Sequence, residues 1–507
     1  MSAPIHCDVL VVGGGINGTG IARDAAGRGL SVVLCEKDDL ASHTSSASSK
    51  LIHGGLRYLE YFEFDLVRKA LLEREVLMRS APHLISPLGF VMPYVKGLRP
   101  AWFLRLGLFF YDHLAKRELL PGSYGVNFKT HEVGQPLKTE FTQGFIYADG
   151  WVDDARLVVL NAKDAAEKGA KVFTRTLCSG VRQENGLWHA LLTGADGTST
   201  PLTARSLVNA TGAWAAQFQQ ASMPHVEGKT LRLIKGSHIV VKRLFQHPYA
   251  YIFQHKDGRI VFVIPYERDF TLIGTTDINY KGDINAVKIS QEEIDYLCSL
   301  SSEFFKQTIQ AKDVVHTYAG VRPLVDDGAA DAKAITRDYR LDLEQNGVPQ
   351  LTVFGGKITT YRKLAEEAVD MLAPTLRNFK KAWTANAVLP GGDLFASQPR
   401  NQAVLQFDVY VKTMEKQYHW LPPALVQRYV LAYGSRIEQL LLMCSCPEDM
   451  GEQIAQGLYE REVRYLIRHE WARTAQDILW RRSKLGLHLP MGTAEKLDAW
   501  LTKSALI

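Results

Sequence analysis

The sequence predicts an α/β fold in which a parallel-stranded unit is interrupted by an inserted antiparallel sheet and followed by an all-α C-terminal unit. Three observations carry this expectation. The chain opens on a strand, a glycine cluster, a small-residue helix and a second strand; β-rich segments between residues 236 and 265 break that alternation; and after Pro390-Gly391-Gly392 the pattern turns helical as far as Ile507.

The composition leaves room for such an architecture. With 507 residues, 46% of them hydrophobic, each of two to four units can bury its own core. A charged fraction of 22% is wrong for a disordered chain, and the 40 glycines follow no collagen period. The net charge of +5 is small for this length, so no global basic field points to nucleic acid. Cys7, Cys35, Cys178 and Cys298 are scattered and Cys444 and Cys446 form only a CxC, which gives neither a zinc spacing nor a disulfide framework and suits a reducing compartment. The opening residues have no basic stretch before the first apolar run, so no secretory signal is expected. No run reaches the roughly 18 apolar residues that a spanning helix needs.

Taken in order, Val9 to Val12 is a buried-strand run, Ile21 to Gly27 is small and helical, and Ser31 to Glu36 is a second strand, which predicts a right-handed βαβ unit. Gly13, Gly15 and Gly18 form a GxGxxG between strand and helix, and Glu36 closes the second strand. Each has a physical task. Gly13 turns the chain, Gly15 lets the backbone approach a pyrophosphate, Gly18 lets helix and strand pack closely, the helix N-terminus favours phosphate charge, and Glu36 accepts bonds from a ribose. That set predicts a bound dinucleotide without separating FAD from NAD. Leu207 to Gly212 is a second short strand ending in Ala210-Thr211-Gly212, where a turn can pass close to the same ligand.

Ser42 to Ser49 holds five serines and one threonine, a composition that by itself equally suits a flexible linker. Asp65 to Ser80 has helical apolar spacing beside Glu73, Arg74 and Glu75, and is expected to be a surface helix without chemistry. Gly236 to Val241, Ala250 to Phe253 and Arg259 to Pro265 read as strands, the last two joined by a turn at His255 to Gly258. A helix is expected to start near Tyr361, and the helical region beyond Pro390 breaks near Tyr433-Gly434-Ser435. His469-Glu470-Trp471-Ala472 is not HExxH, since residue 473 is Arg, and no metal site is expected there.

Three ordered motifs carry a resemblance that runs from about residue 7 to the end. VGGGINGTGIARDAAGRG from Val12 to Gly29, TSSASSKLIHGGLRYLE from Thr44 to Glu60, and GGKITTYRKLA from Gly355 to Ala365 are similar to the FAD-dependent glycerol-3-phosphate dehydrogenases, the quinone-linked, membrane-associated bacterial enzymes. The resemblance implies a two-dinucleotide-binding, Rossmann-like FAD fold. Residues 1–84, 145–232 and 315–380 would form the FAD-binding unit, 85–144 and 233–314 a substrate and membrane-facing unit, and 388–507 a helical cap. It implies FAD as cofactor, held by Gly13, Gly15, Asn17, Gly18 and Glu36, by Thr44, Ser45, Ser46, Ser48 and Lys50 along the flavin, by Ala210, Thr211 and Gly212, and by Gly355, Gly356, Lys357, Ile358 and Thr359 at the pyrimidine end.

It also implies oxidation of sn-glycerol 3-phosphate to dihydroxyacetone phosphate, with electrons passed to ubiquinone. A phosphate monoester needs several cations, Arg above all. The candidates on motif segments are Arg57, Arg322, Arg337 and Lys357. Delivering a hydride from C2 to the flavin requires a base for the hydroxyl proton. His53 and His238 are the candidates, with His238 slightly preferred and His53 supporting flavin or substrate.

Leu98 to Leu114 is dense in Trp, Phe and Leu with isolated arginines and runs into Lys116-Arg117. Composition alone favours a buried core helix. The resemblance instead implies an interfacial segment over residues 98–117, placing a homodimer on the cytoplasmic face of the inner (plasma) membrane as a peripheral, monotopic protein. The rival readings are a glycerophosphate oxidase that reduces oxygen, an amino-acid or sarcosine-type flavin oxidase, and a flavin-binding regulator without turnover.

Overall fold

The computed structural model describes residues 4–226, 229–325 and 338–504. Arg337, one of the candidate cations, lies outside the described residues.

The opening βαβ unit forms as expected. Ile5–Val12 pairs in parallel with Val32–Cys35 on one side and with Ser199–Asn209 on the other, and the helix Ile16–Gly27 packs over them. Gln350–Phe354 and Lys171–Phe173 extend this first sheet in parallel at its two sides, and Arg340–Glu344 adds an antiparallel edge. Its central strands are apolar on both faces because helices cover one side and the hairpin Thr176–Glu184 and Leu187–Gly194 folds over the other. The covering helices Ile16–Gly27, Asp154–Glu167 and Tyr361–Leu376 share one apolar core with it.

The second sheet is mixed and holds ten strands among the described residues. Leu231–Lys242, Phe270–Gly274, Ile260–Tyr266 and Ala250–Gln254 run antiparallel, and the expected turn at His255 to Gly258 joins the last two. Ile85–Pro93 and Gln143–Val152 continue the sheet to Leu51–Ile52. Val314–Val325 lies along almost the whole of Leu231–Lys242. Residues 145–152 and 315–325, assigned from sequence to the cofactor unit, are thus strands of the second sheet, and the chain crosses between the sheets at both places.

One expectation is corrected in part. Phe64–Ser80 is helical with Asp65, Arg68, Lys69 and Leu72 exposed on one face, but Glu73, Arg74 and Glu75 are buried, so its charged triplet packs inward. Arg362 holds Glu73 through Nε at 2.8 Å and Nη2 at 2.5 Å, and Arg74 Nη1 lies 2.5 Å from Asp149 Oδ1. Partners far along the chain make the burial of these charges tolerable.

The C-terminal unit is built of helices around its own core, and Pro423–Tyr433 ends at the expected break. It also contains one short hairpin, Gln453–Ala455 with Leu458–Tyr459.

Candidate active site

Two cavities are lined by successive parts of the segment from residue 42 to 60. The first, about 510 Å³, lies at the C-terminal ends of the parallel strands, lined by Gly13, Gly15, Asn17, Glu36, Thr44, Ser45, Ala210, Thr211, Gly212, Gly355 and Gly356. Glycine is required here. Gly13 sits at a φ of +112°, and a Cβ on it would lie 2.4 Å from the Ala210 carbonyl oxygen; one on Gly18 would lie 1.9 Å from the Gly13 carbonyl oxygen. Ser45 Oγ accepts the Ile16 N–H at 3.0 Å, which fixes the serine segment against the helix N-terminus. Glu36 is held by the N–H groups of Gly14 and Asp38 at 2.7 and 2.9 Å, while burial pushes its pKa up.

The donor set fits a dinucleotide. Strand ends, a helix N-terminus and the strand-end acid converge on one cavity, and the buried Asn17 Oδ1 facing Gly355-Gly356 has no hydrogen-bond partner among the described residues. Five of the sequence candidates turn elsewhere. Ser48 Oγ and Lys50 Nζ both bind Asp154, each at 2.7 Å, and Lys50 is buried. Ser46 closes a turn on the His43 carbonyl, Ile358 packs on the core of the first sheet, and Thr359 Oγ1 accepts the His53 N–H at 3.3 Å.

The second cavity, about 400 Å³, is lined at its inner end by Ser49, His53, Arg57, Tyr58, Asp149, Thr275, Thr276 and Arg322. Arg322 Nη2 lies 3.0 Å from Asp277 Oδ1, whereas Arg57 makes no ion pair among the described residues. Lys357 Nζ sits 4.2 Å from the centre of the Tyr58 ring, which brings its charge to the cavity wall. Beyond these polar groups the wall becomes apolar through Phe90, Met92, Leu104 and Phe262. It reaches the helix Ala101–His113, from which Phe103, Leu106 and Phe110 enter the lining.

The two histidines are placed differently. His53 lines the cavity; burial lowers its pKa, the Asp149 carboxylate opposes that, and the Lys357 and Arg74 charges reinforce it. His238 does not line it. Its ring is buried behind Ser49, with Nε2 2.9 Å from Ser49 Oγ and the Tyr318 ring stacked on it at 4.8 Å. Burial, with the nearby charges of Lys50 and Arg322, pushes its pKa down to about 3.

The sequence reading missed Tyr58, Asp149 and Tyr111. Tyr58 adjoins Arg57 in a quoted motif, but Asp149 and Tyr111 reach the site only through packing of separate elements.

The outer face of Ala101–His113 is unusual. Trp102 is 67% exposed and Phe109 50%, and Phe62 of the neighbouring turn is 80% exposed, with Phe103, Leu106 and Phe110 beside them. No described helix is long and apolar enough to cross a membrane.

Comparison with known proteins gives a consistent result. Residues 8–362 match the FAD dependent oxidoreductase family, and residues 382–500 match the C-terminal domain of alpha-glycerophosphate oxidase. A glycerol-3-phosphate dehydrogenase of Pseudomonas aeruginosa is 53% identical over 99% of this chain and 96% of its own. A D-erythritol 1-phosphate dehydrogenase of Brucella abortus is 46% identical over the full length of both. The crystal structure of the glycerol-3-phosphate dehydrogenase from Bacillus halodurans complexed with FAD superposes with a TM-score of 0.79 at 26% identity, covering 98% of this chain and 90% of that one.

Proposed function

The chain belongs to the FAD-dependent glycerol-3-phosphate dehydrogenase family, and from that premise we propose that it oxidises sn-glycerol 3-phosphate to dihydroxyacetone phosphate and passes the electrons to ubiquinone. The observation that carries the site assignment is the single cavity in which His53, Arg57 and Arg322 face one another beside the dinucleotide cradle.

FAD, held by the glycine turns, Glu36, the Thr44-Ser45 segment and Gly355-Gly356, supplies the acceptor for the hydride leaving C2. The protein's own groups do the rest. Arg57, Arg322 and Lys357, with Arg337 as the further sequence candidate, hold a phosphate that carries between one and two negative charges near neutral pH. His53 takes the C2 hydroxyl proton, because an imidazole whose pKa is lowered is neutral and ready to accept at pH 7. This moves the base from the sequence preference, His238, to His53, since the His238 ring reaches the cavity only through the Ser49 hydroxyl whereas His53 lines it directly. His238 instead orients Ser49. The same cations stabilise the developing alkoxide.

The exposed aromatics of Ala101–His113, with Arg99, Lys116 and Arg117 around them, support peripheral attachment to the cytoplasmic face of the inner membrane, with ubiquinone arriving at the apolar mouth of the cavity. The assembly we propose is a homodimer, checked by sedimentation.

The anaerobic visible spectrum tests the reading. Adding sn-glycerol 3-phosphate bleaches the flavin band and a soluble quinone restores it. Bleaching by erythritol 1-phosphate but not by glycerol 3-phosphate would move the substrate to the four-carbon ester named for the Brucella relative. Peroxide formed at the full rate without quinone would favour the oxidase.

A further inference from the structure

Three buried side chains from three elements form one cluster, and two of them, Tyr111 and Asp149, reach the peptide that follows His53. Asp149, from Gln143–Val152, is 2% exposed and touches the cavity. Arg74, from Phe64–Ser80, lies 2.5 Å from Asp149 Oδ1 and donates to the Ala148 carbonyl at 3.1 Å; its Nε and Nη2 have no hydrogen-bond partner among the described residues. Tyr111, from Ala101–His113, places its hydroxyl 2.8 Å from both Asp149 oxygens. That hydroxyl in turn accepts the Gly54 N–H at 2.7 Å, and Asp149 Oδ1 lies 3.4 Å from the same nitrogen.

We infer that Asp149, clamped by Tyr111 and Arg74, is a positioning residue that fixes His53 in the orientation from which it accepts the substrate proton. The inference rests on the reading of His53 as the base.

The geometry leaves His53 little freedom. Its own N–H donates to Thr359 Oγ1, and the next N–H donates to Tyr111, so the peptides on both sides of the residue are pinned. Only glycine allows this approach at residue 54, because a Cβ there would stand 2.5 Å from Leu71 Cδ2 and 2.6 Å from the Tyr111 oxygen.

The charge pattern has the matching sense. Lys357, Arg57 and Arg322 lie on the His53 side of the cavity with Arg74 behind it; Asp277 is paired with Arg322 and Glu60 with Arg99, and Asp149 is the carboxylate that raises the His53 pKa. A base hemmed in by cations alone would bind the proton too weakly. A carboxylate whose position is fixed offers its negative potential to the imidazolium formed by the transfer without reorganising. Asp149 makes no hydrogen bond to the His53 ring, so it acts through the backbone and through space.

The test uses the FAD-loaded enzyme and follows kcat and KM for sn-glycerol 3-phosphate against pH in wild type, Tyr111→Phe, Asp149→Asn and His53→Gln. A base must be deprotonated, so wild-type kcat falls at acid pH. Asp149→Asn removes the charge that raises the His53 pKa and therefore moves that limb to lower pH. It also lowers kcat by up to about 100-fold, the scale expected for a base displaced by an ångström, while KM changes little. Tyr111→Phe, which deprives the Gly54 N–H of its closer acceptor, lowers kcat in the same way without a new charge.

Profiles of Asp149→Asn and Tyr111→Phe that superimpose on wild type, or a raised KM at unchanged kcat, overturn the inference. Should Asp149→Asn fail to hold FAD, Tyr111→Phe decides alone. Wild-type turnover by His53→Gln overturns the base reading and this inference together. A slow His53→Gln beside wild-type-like Asp149→Asn and Tyr111→Phe overturns this inference alone.

Discussion

Arg156 and Glu470 form a buried bidentate ion pair across the seam between the first sheet's helices and the C-terminal unit. Nη2 lies 3.0 Å from Oε1 and Nη1 binds Oε2, while the Ala432 carbonyl takes Nη2 and Nε at 2.8 and 3.2 Å. Both side chains are almost fully enclosed.

Removing one partner leaves the other charge buried without compensation. Arg156→Met is expected to destabilise the protein by about 3 to 5 kcal/mol, and the double variant Arg156→Met/Glu470→Met to recover most of that loss. Denaturant unfolding of the two single variants and the double variant measures it. Equal losses in single and double variants would mean that packing, not charge, is what Arg156 supplies.

At the cofactor end, the contact between Gly18 and Gly13 is tight enough to decide binding. A methyl at residue 18 meets backbone that cannot move aside, with strain of about 1 to 3 kcal/mol shared between fold and cofactor affinity. Gly18→Ala should therefore bind FAD about 10- to 100-fold more weakly. Flavin absorbance after dialysis, and titration of the apoprotein with FAD, give the number.

Arg57 reaches the second cavity with no ion-pair partner among the described residues, so its charge is available to a ligand. A charge-assisted hydrogen bond lost from the complex costs about 1.5 to 3 kcal/mol. Arg57→Ala should raise KM for sn-glycerol 3-phosphate about 10- to 100-fold. Arg57→Lys should recover part of the loss, since an ammonium keeps the charge but not the fork.

The exposed aromatics predict a separable defect. The double variant Trp102→Ser/Phe109→Ser removes two of the most exposed rings on the helix without touching the cavity lining. It should stop sedimenting with anionic phospholipid vesicles yet keep wild-type turnover with a soluble electron acceptor. Loss of both activities together would place these rings in the fold instead.

How much of this was legible in the sequence depended on distance along the chain. Gly13, Gly15, Gly18 and Glu36 act through one local strand-turn-helix-strand unit, so spacing alone located them. Arg74 was misread as a surface charge because Asp149, which makes its burial tolerable, lies 75 residues away. Nothing near either residue announces the pair. The histidines show the same limit. Their residue type marked both as candidate bases, but only the crossing of Leu231–Lys242 behind Ser49 separates the enclosed His238 from the cavity-lining His53. The hairpin at Gln453–Tyr459 was hidden because its strands are only three and two residues long within a helical composition.

Acid should weaken the fold through His83. Burial first, and then the charge of Arg156, pushes its pKa down to about 3, and neither ring nitrogen has a hydrogen-bond partner among the described residues. The unfolded chain binds that proton near pH 6.5. Stability from the neutral ring is thus complete above about pH 6.5 and is lost as pH falls towards 3, at about 1.4 kcal/mol per pH unit. Melting curves between pH 7 and 5 should slope less steeply in His83→Gln than in wild type, with His238 contributing in the same sense.

Asp39, three residues beyond Glu36, is held by Arg482 through Nη1 at 2.7 Å and Nη2 at 2.8 Å, and by Arg481 Nε at 2.7 Å. The turn after Glu36 therefore receives its two closest counter-charges from side chains 442 and 443 positions further along the chain. Until residues 481 and 482 have been synthesised, the described cation left to Asp39 is Arg175, 4.0 Å away. The glycine turn can form early, but the brace that holds the following loop against it arrives only with residues 481 and 482. The loop whose Ala41, Ser42 and His43 line the first cavity is accordingly braced only once the C-terminal helical unit has docked beside it.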